Sequence, residues 1–349
     1  MSENGRSGAP TALAGEGFVG AVDLGGTKIL AAVVSPEGAI VARAKKSTGK
    51  GAAPEAVIDR IAACVREAVE AAGLDPSALR AVGIGAPGPV DPERGVLRTA
   101  PNLAGWRDVP LADELGRRLG VPVALDNDVR VAVLAEASAG AGRGVRNWVA
   151  FWPGTGIGGG VVIDGQVLRG ATNAAGELGH ITVKAGGPKC GCGGKGHLEA
   201  LASRTAIVRE IAKRVKKTGE KTLLAEIARD VEKAKAGDLA EAYRRGDKLV
   251  VKAIDRAAKY LGIGVANVAN TVNPELVVLG GGLTEALGEP FVRQVEKEMR
   301  RRPLAAATGE LRVVQSQLGD DAGVVGAALV ARRLVAPGAA AHLAEAPVG

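Results

Sequence analysis

Aromatic residues are scarce in this sequence: three Trp, two Tyr and three Phe among 349 residues. Proteins that bind single strands of nucleic acid stack the bases on aromatic side chains, so this scarcity argues against that class. The formal net charge is +7, but acidic and basic residues are interleaved, and no five like charges follow one another. We therefore expect no nucleic-acid partner and a mild attraction for small anions.

Long apolar runs and paired cysteines are also missing. No apolar stretch reaches the roughly 18 residues of a membrane-spanning helix. The first residues lack the charged and then apolar order of a signal peptide. Three cysteines are an odd number, and Cys190 and Cys192 are separated by a single residue, so we expect no disulfide framework. These features predict a cytoplasmic protein whose thiols stay reduced.

The length and the 46% hydrophobic content allow two domains, each with an aliphatic core. A pattern of apolar strand, glycine turn and apolar strand opens both halves, at 17–47 and at 147–170. This repeat predicts two related α/β domains that face each other across a cleft. The expected division is a disordered segment 1–17, a small domain 18–129 with a C-terminal helix 319–335, a large domain 130–318 and a disordered tail 336–349.

Hydrophobic periodicity predicts the individual elements. In the first helix, one face is formed by Val57, Ile58, Ile61, Val65 and Val69. The charged, Ala-rich segments between Ala206 and Lys252 read as solvated helix faces or a lid, and we assign them no chemistry. Further helices are predicted at 111–119, 129–139 and 253–272, and buried strands at 81–84, 121–125 and 276–279.

Three glycine-rich turns are candidates for binding phosphate, because glycine lets backbone N–H groups approach phosphate oxygens closely. They lie at Asp23–Lys28, Gly154–Gly158 and Gly280–Gly282. The first is not a Walker loop and the second is not a dinucleotide fingerprint, since an apolar strand follows each where a helix is required. Each turn alone is typical of a plain hairpin, but the three together favour a nucleotide.

Two side chains at the first turn have two interpretations each. Asp23 ends a predicted strand, and its carboxylate can hold Mg²⁺ or cap its own turn. Lys28 is suited equally to a phosphate contact and to a solvated surface. The sequence alone leaves both pairs of alternatives open.

Two carboxylates, Asp126 and Asp128, follow the predicted strand 121–125 and flank Asn127. One carboxylate here can simply cap the helix that follows. Transfer of a phosphoryl group to a hydroxyl requires a carboxylate that accepts the proton, and α/β folds place such groups at the carboxyl ends of strands. The pattern does not distinguish Asp126 from Asp128 as this base.

Most of the histidine and cysteine of the chain lies in one short segment. His180, Cys190, Cys192 and His197 fall within eighteen residues, and only Cys64 and His342 lie elsewhere. Four nitrogen and sulfur ligands with glycines between them suit a closed tetrahedral Zn²⁺ site. Such a site is structural, and it would hold the neighbouring Glu177 and Glu199 in place.

In combination, these motifs resemble the ROK family of repressors, uncharacterised reading frames and sugar kinases, and within it the bacterial glucokinases. The resemblance spans roughly Phe18 to Val335. The matching stretches are DLGGTK at 23–28, GAPGPVD at 85–91, PNLAGW at 101–106, DND at 126–128, GTGIGGG at 154–160, ELGH at 177–180, CGCGGKGHLE at 190–199 and LGGGL at 279–283.

The resemblance implies an α/β, actin-like and hexokinase-like (ribonuclease H-like) ATPase fold of two domains around a cleft. It implies phosphorylation of the 6-hydroxyl of a hexose, most readily glucose, with ATP, Mg²⁺ and a structural Zn²⁺, and it implies a homodimer. Asp128 matches the catalytic base. The positions that match sugar contacts are Asn102, Asn127, Asp128, Glu177, His180 and Glu199. Those that match phosphate and nucleotide contacts are Asp23, Gly25, Gly26, Thr27, Lys28, Gly154, Thr155, Gly156, Gly280, Gly281 and Gly282.

The metal segment departs from the family pattern at one position. The family usually has a third cysteine where this sequence has His197, beside the matching ligands His180, Cys190 and Cys192. Imidazole is a competent Zn²⁺ ligand, so we expect a site of two histidines and two cysteines. Arg130 and Pro153 also differ from the residues expected there, and the sequence suggests no role for either.

Two other functions remain as alternatives. One is a related kinase acting on N-acetylmannosamine, N-acetylglucosamine or fructose. The other, of a different class, is a sugar-sensing regulator, since the same family includes repressors with a DNA-binding module ahead of the first turn. Only 22 residues precede Asp23 and they do not look helical, so the sequence favours the kinase.

Overall fold

The computed structural model describes residues 13–49, 51–100, 103, 105–302 and 304–335. The chain forms two compact units, one built from residues up to Ala139 together with those from Asp321 onward, and the other from Gly140–Asp320. No helix within the described ranges combines the length and the apolar character needed to cross a bilayer.

The elements follow one another along the chain as alternating groups of strands and helices. The strands are β1 (Phe18–Leu24), β2 (Lys28–Val34), β3 (Ile40–Ser47), β4 (Leu79–Ala86), β5 (Val90–Asp91), β6 (Val96–Thr99), β7 (Arg107–Val109), β8 (Val123–Asn127), β9 (Trp148–Pro153), β10 (Ile157–Ile163), β11 (Gln166–Val167), β12 (Leu276–Leu279) and β13 (Arg312–Gln315). The helices are α1 (Pro54–Ala71), α2 (Leu111–Leu119), α3 (Asp128–Ala139), α4 (Glu199–Ala202), α5 (Arg204–Thr218), α6 (Leu223–Ala228), α7 (Ala236–Arg244), α8 (Lys248–Val272), α9 (Gly282–Leu287), α10 (Glu289–Met299) and α11 (Ala322–Val335).

The main sheets of the two units have the same design. In the first unit the strand order is β3-β2-β1-β4-β8, and in the second it is β11-β10-β9-β12-β13. In each sheet the leading hairpin is antiparallel, and the two strands on its other side run parallel to the first strand of the hairpin. The repeat of strand, glycine turn and strand in the sequence therefore marks the start of each sheet. The first unit carries in addition a small antiparallel sheet of β5, β6 and β7.

Helix α1 shows how the apolar pattern builds the first core. The face predicted from the sequence, with Val57, Ile58, Ile61, Val65 and Val69, is buried, and the helix packs against β1, β2 and β3. Each fully buried aliphatic side chain of this kind contributes roughly 1.5–3 kcal/mol. Pro54 occupies the first turn of the helix, where its missing N–H costs no hydrogen bond.

Helix α11 belongs to the first unit because it packs directly on β4 and α3. A Cβ atom added at Gly83 would lie 1.9 Å from the carbonyl oxygen of Ala327, and one at Gly326 would lie 1.8 Å from that of Val131. Glycine at both positions lets the backbones approach this closely. The C-terminal helix was expected in this unit, with slightly different bounds.

The division between the units differs from the expected boundary at Val129. Helix α3 packs against α11 and β4, so the first unit extends to Ala139. Residues 13–17 also differ from the expectation of disorder. Leu13 is buried, and the guanidinium of Arg332 donates hydrogen bonds to the carbonyl oxygens of Leu13, Glu16 and Gly17. The remaining segments that we expected to be disordered, 1–12 and 336–349, lie outside the described residues.

Two further bounds differ for identifiable reasons. Strand β8 continues through Asp126 and Asn127, because these residues pair in register with Gly85 and Ala86 of β4. Helix α8 begins at Lys248 rather than at Ala253, because the carboxylate of Asp247 accepts hydrogen bonds from the N–H groups of Leu249 and Val250 and caps the helix. The hairpins, α2 and β12 lie where the sequence predicts them.

Candidate active site

The first glycine turn links β1 to β2 and is closed by backbone hydrogen bonds. The N–H of Gly25 donates to the carbonyl oxygen of Lys28 at 2.9 Å. Thr48, which is fully buried, donates from its hydroxyl to the carbonyl oxygen of Gly25 at 2.7 Å, and its N–H donates to Thr27. Gly26 is half-buried and Thr27 is exposed. The buried Thr48 therefore stabilises the turn from the protein interior, and Thr27 at the tip of the turn is open to solvent.

Asp23 lies at the carboxyl end of β1, beside this turn, and is half-buried. The start of α11 packs against its carboxylate: a Cβ atom at Gly323 would lie 2.9 Å from Cγ of Asp23. Glycine at position 323 leaves room for the carboxylate. Asp23 thus lies beside the turn, a position that is compatible with both interpretations, a ligand of Mg²⁺ and a cap of its own turn.

Burial and hydrogen bonding distinguish Asp126 from Asp128, which the sequence alone did not. Asp126 is 1% exposed, and its Oδ1 accepts hydrogen bonds from Nη1 of Arg130 at 2.7 Å and from the N–H of Asn127. Asp128 is half-buried and is the first residue of α3. Arg130, which the sequence left unexplained, is the partner of Asp126. Asp128 is consequently the carboxylate with access to solvent.

Asn127 links the two aspartates. Its Oδ1 accepts from the N–H groups of Val129 and Arg130, which satisfies part of the first turn of α3. Its Nδ2 donates to the carbonyl oxygen of Gly88 and to Oδ1 of Asp128. Oδ1 of Asp128 also accepts a hydrogen bond from the N–H of Val129 at 2.8 Å. This oxygen of Asp128 is therefore fixed by two donors.

The second glycine turn links β9 to β10 and is supported by the helices that follow the cysteine segment. The N–H of Gly154 donates to the carbonyl oxygen of Gly156 at 2.8 Å. Nη2 of Arg204 donates to Oγ1 of Thr155, and Oγ1 of Thr205 donates to the carbonyl oxygen of Thr155 at 2.7 Å. Neither Arg204 nor Thr205 carries a sequence signal, because the contacts cross about fifty residues.

Glu199 also supports this second turn. Its Oε2 accepts a hydrogen bond from the N–H of Ile157 at 3.0 Å. A Cβ atom at Gly156 would lie 2.3 Å from the same oxygen, so only glycine lets the carboxylate approach. Oε1 of Glu199 accepts from Sγ of Cys190 at 3.4 Å. Glu199 therefore joins the turn to the cysteine segment.

The third turn, Gly280–Gly282, lies against the second within the same unit. A Cβ atom at Gly280 would lie 2.6 Å from the ring of Trp152, and one at Gly281 would lie 2.9 Å from the carbonyl oxygen of Pro153. Gly281 has a φ of 78°, which glycine adopts without strain. Apart from the two chain neighbours and, at Gly282, the backbone of its own helix, no atom of the described residues lies within 4 Å of a Cβ built at Gly154 or at Gly282. The two turns thus meet at the end of β9 with open space beside them.

A cavity of about 730 Å³ lies next to the second turn. It begins at Arg204 and Thr205 and runs along α5, where most of the lining side chains are basic. The charged lining residues are Arg204, Arg209, Lys213, Lys216, Lys217 and Glu232. This basic lining favours an anionic ligand. From the sequence we assigned no chemistry to residues 206–252, and no sequence motif indicates this cavity.

The predicted metal ligands come together. One ligand atom from each of His180, Cys190, Cys192 and His197 lies within 4.8 Å of the others. Sγ of Cys190 lies 3.8 Å from Nδ1 of His180, and Sγ of Cys192 lies 3.2 Å from Nδ1 of His197. Metal–ligand bonds of about 2.0–2.3 Å in a tetrahedron place ligands roughly 3.3–3.8 Å apart, so the four residues fit Zn²⁺ with small adjustments.

The environment of this cluster differs between its cysteines. Burial raises the pKa of the Cys190 thiol to about 11, with smaller contributions from side-chain hydrogen bonds to Cys192 and Glu199. Cys192 is exposed. Glu177 is exposed as well, and its Oε2 lies 3.9 Å from Nε2 of His180. The second unit thus places Glu177, His180 and Glu199 around the cluster, whereas Asn102 lies outside the described residues.

Comparison with known proteins gives the class of this chain. The model of the ROK family matches residues 19–334. The chain therefore belongs to the ROK family. A crystal structure of a ROK family glucokinase from Streptomyces griseus, in complex with glucose and AMPPNP, superposes with a TM-score of 0.78 at 37% identity, covering 91% of this chain and 100% of that one. The predicted actin-like, hexokinase-like α/β fold is confirmed by this similarity.

Two curated relatives represent two functions within the family. The glucokinase of Thermotoga maritima is 40% identical over 314 residues, which are 90% of this chain and 97% of the relative. A putative xylose repressor of Caldicellulosiruptor sp. is 32% identical over 311 residues, which are 89% of this chain and 77% of the relative.

Proposed function

We propose that this chain transfers the γ-phosphoryl group of ATP to the 6-hydroxyl of a hexose, with glucose as the preferred substrate. The observation that carries the proposal is the contrast between Asp126, near the end of β8, and Asp128, directly after this strand. Asp126 is buried and paired with Arg130, whereas Asp128 is accessible and held at one oxygen by Asn127 and Val129. The identity of 37–40% with glucokinases, over nearly their whole length, supports the same activity.

Asp128 acts as the general base in this proposal. Its carboxylate accepts the proton of the 6-hydroxyl while the sugar oxygen attacks the γ-phosphorus in line. The bond between the oxygen and the phosphorus forms, the bond to the β-phosphate oxygen breaks, and ADP leaves. Asn127 keeps the carboxylate oriented through its Nδ2 donor. The chemistry needs little more from the protein than orientation and charge stabilisation, which suits a site built on a strand end.

We assign the donor to the three glycine turns. Gly25 and Gly154 close the first two turns with their own N–H groups, and the backbone N–H groups of Gly26, Thr27, Thr155 and Gly156 are suited to phosphate oxygens. Lys28 is a cationic partner, and Gly280, Gly281 and Gly282 lie on the nucleoside side in this proposal. Mg²⁺, when bound with ATP, neutralises phosphate charge, and Asp23 is the carboxylate beside the first turn that would hold it. The basic cavity beside Thr205 supports an anionic ligand at the second turn.

The sugar contacts in this proposal are hydrogen-bonding side chains, as a polyhydroxylated ligand requires. The proposed contacts are Asn102, Asn127, Asp128, Glu177, His180 and Glu199. The carboxylate of Glu199 is already oriented by Ile157 and Cys190, which supports a fixed role in binding. The same arrangement leaves N-acetylmannosamine, N-acetylglucosamine and fructose as alternative substrates.

A structural Zn²⁺ held by His180, Cys190, Cys192 and His197 completes the proposal. When bound, the ion would fix the loop that carries Cys190 and, through Glu199, the second turn. Its test is the zinc content of protein purified without added metal, for the natural chain and for His197→Ala. We expect about one zinc per chain in the natural protein and a clear loss in the variant. Cys64→Ala, which removes a buried thiol outside the cluster, serves as the control. Equal zinc in His197→Ala and the natural chain would remove His197 from the site.

The base assignment is tested by Asp128→Asn, which keeps the shape and removes the acceptor of the proton. We expect kcat to fall about 10²–10⁴-fold while glucose still binds. Asp164→Asn, at an exposed aspartate of the second unit, is the matched control and should retain full activity. Turnover of Asp128→Asn near that of the natural chain would show that another group is the base.

Similarity to a putative xylose repressor favours one second candidate, a sugar-sensing regulator. In that case the sugar would bind without phosphorylation. The accessible Asp128 and the three turns favour the kinase instead, because a sensor needs neither a base nor a phosphate site. We further propose a cytoplasmic homodimer, on the strength of the family resemblance and the unpaired cysteines. Light scattering of the purified protein measures the oligomeric state, and a monomeric mass would contradict this part.

A further inference from the structure

Arg130 and Asp126 form an ion pair in the interior of the first unit. Nη1 of Arg130 lies 2.7 Å from Oδ1 of Asp126, and the two side chains are only 8% and 1% exposed. Removing two charges from water is unfavourable, and their attraction offsets this cost only with good geometry and further hydrogen bonds, both of which are present here. The sequence of this chain places the pair on either side of the proposed base, at positions 126 and 130.

The pair is connected to Asp128 through Asn127, by hydrogen bonds of both side chains and backbone. Oδ1 of Asp126 accepts from the guanidinium of Arg130 and from the backbone N–H of Asn127. The amide oxygen of Asn127 accepts from the backbone N–H of Arg130, and its amide nitrogen donates to Oδ1 of Asp128. The carboxylate of Asp126, held by Arg130, therefore fixes the peptide group of the residue whose side chain orients the base.

The surrounding backbone is fixed without this pair. A Cβ atom at Gly85 would lie 2.6 Å from Cγ2 of Val131 and 3.4 Å from Cα of Asp128, and Gly326 of α11 contacts the carbonyl of Val131 on the other side. The start of α3 is thus wedged between β4 and α11. Because packing already holds α3, the pair acts on the peptide group of Asn127, at the end of β8, rather than on the position of the helix.

We propose that Arg130, paired with Asp126, is a positioning residue for phosphoryl transfer: through Asp126 it fixes the backbone N–H of Asn127, whose side chain aims the carboxylate of Asp128 at the sugar hydroxyl. This inference rests on the proposed role of Asp128 as base. Arg130 itself touches neither substrate, so its loss should lower kcat and leave the KM values for glucose and ATP nearly unchanged.

The test compares Arg130→Gln, Arg130→Lys and Arg130→Gln combined with Asp128→Asn, each in the full chain. We expect Arg130→Gln to lower kcat about tenfold with KM values within about twofold, and Arg130→Lys, which keeps the charge, to recover most of the loss. In the Asp128→Asn background, Arg130→Gln should cause no further loss, because a residue that acts through the base has no effect once the base is gone. Arg146→Gln, which breaks an exposed ion pair with Asp164, is the control.

A double variant keeps the test valid if Arg130→Gln unfolds from an unpaired buried charge. Asp126→Asn combined with Arg130→Met leaves an acceptor for the N–H of Asn127 and no charge, and we again expect lower kcat in a folded protein. The inference is overturned if this variant or Arg130→Gln has full kcat, or if the loss is equally large in the Asp128→Asn background. Full turnover of Asp128→Asn alone would instead contradict the proposed function.

Discussion

The two glycine hairpins of this molecule have the same topology, but their turns are stabilised by contacts from different parts of the chain. In each, a threonine hydroxyl donates to a carbonyl oxygen of the turn at 2.7 Å: Thr48 to Gly25 in the first unit and Thr205 to Thr155 in the second. Thr48 is buried and follows the third strand of its own sheet, 23 residues from Gly25. Thr205 is exposed and lies on a helix, 50 residues from Thr155.

The second hairpin has two further supports from the same region, the carboxylate of Glu199 and the guanidinium of Arg204. Through Glu199 it is joined to Cys190, a member of the predicted metal cluster. The first turn therefore depends on its own sheet, whereas the second depends on a segment inserted between β11 and α5. We infer that the first hairpin withstands changes in the metal segment and that the second does not.

The largest expected effect is in the second turn, at Gly156→Ala. The new methyl group collides with Oε2 of Glu199 and displaces it from the N–H of Ile157. Loss of a hydrogen bond to a charged group costs about 1.5–3 kcal/mol, so the midpoint of thermal unfolding should fall. Gly154→Ala is the matched control, since no atom of the described residues, apart from its two chain neighbours, lies within 4 Å of its Cβ position. Equal unfolding temperatures for the two variants would contradict the proposed support by Glu199.

A smaller effect is expected in the first turn, at Thr48→Val. The substitution keeps the shape and removes the hydroxyl that donates to Gly25, which costs about 1 kcal/mol. Thr48→Ser keeps the donor and should be closer to the natural chain in urea unfolding. Zinc removal should not change the effect of Thr48→Val, because this support lies in the first unit. If the effect of Thr48→Val depended on zinc, the inference that the first hairpin is independent of the metal segment would be wrong.

The smallest expected effect is at Arg204→Gln. The variant loses the donors to Thr155 and to the carbonyl oxygen of Ala234 at a partly exposed position, about 0.5–1 kcal/mol in total. If the turn binds ATP, the KM for ATP should rise about twofold to fivefold while kcat stays the same. Arg146→Gln, at an exposed arginine away from the turn, is the control and should leave the KM for ATP unchanged. A fall in kcat with unchanged KM would assign Arg204 to the chemical step instead.

Short-range patterns predicted the repeated hairpins, the buried face of α1, the span of α2 and the clustering of four metal ligands. Each of these depends on residues that are close in sequence. The cap by Asp247 was missed, although an aspartate ahead of an apolar run is a recognisable start signal for α8.

Long-range contacts account for what the sequence did not predict. Arg204 and Thr205 reach a turn about fifty residues away, and no local pattern indicates this. The role of Arg130 is invisible until burial pairs it with Asp126, which is also what distinguishes Asp126 from Asp128. The first unit extends through α3 because Gly83 and Gly326 permit close packing of α11, a consequence of tertiary contact rather than of periodicity.

The central claim, transfer of a phosphoryl group from ATP to a hexose, is tested most directly by coupled detection of ADP. The natural chain is mixed with ATP and Mg²⁺ and supplied in turn with glucose, mannose, fructose, allose, N-acetylglucosamine and N-acetylmannosamine. We predict the highest kcat/KM with glucose and a product phosphorylated at the 6-hydroxyl. A higher kcat/KM with an N-acetyl sugar would change the substrate, and failure of every sugar to release ADP would contradict the account and favour a regulator.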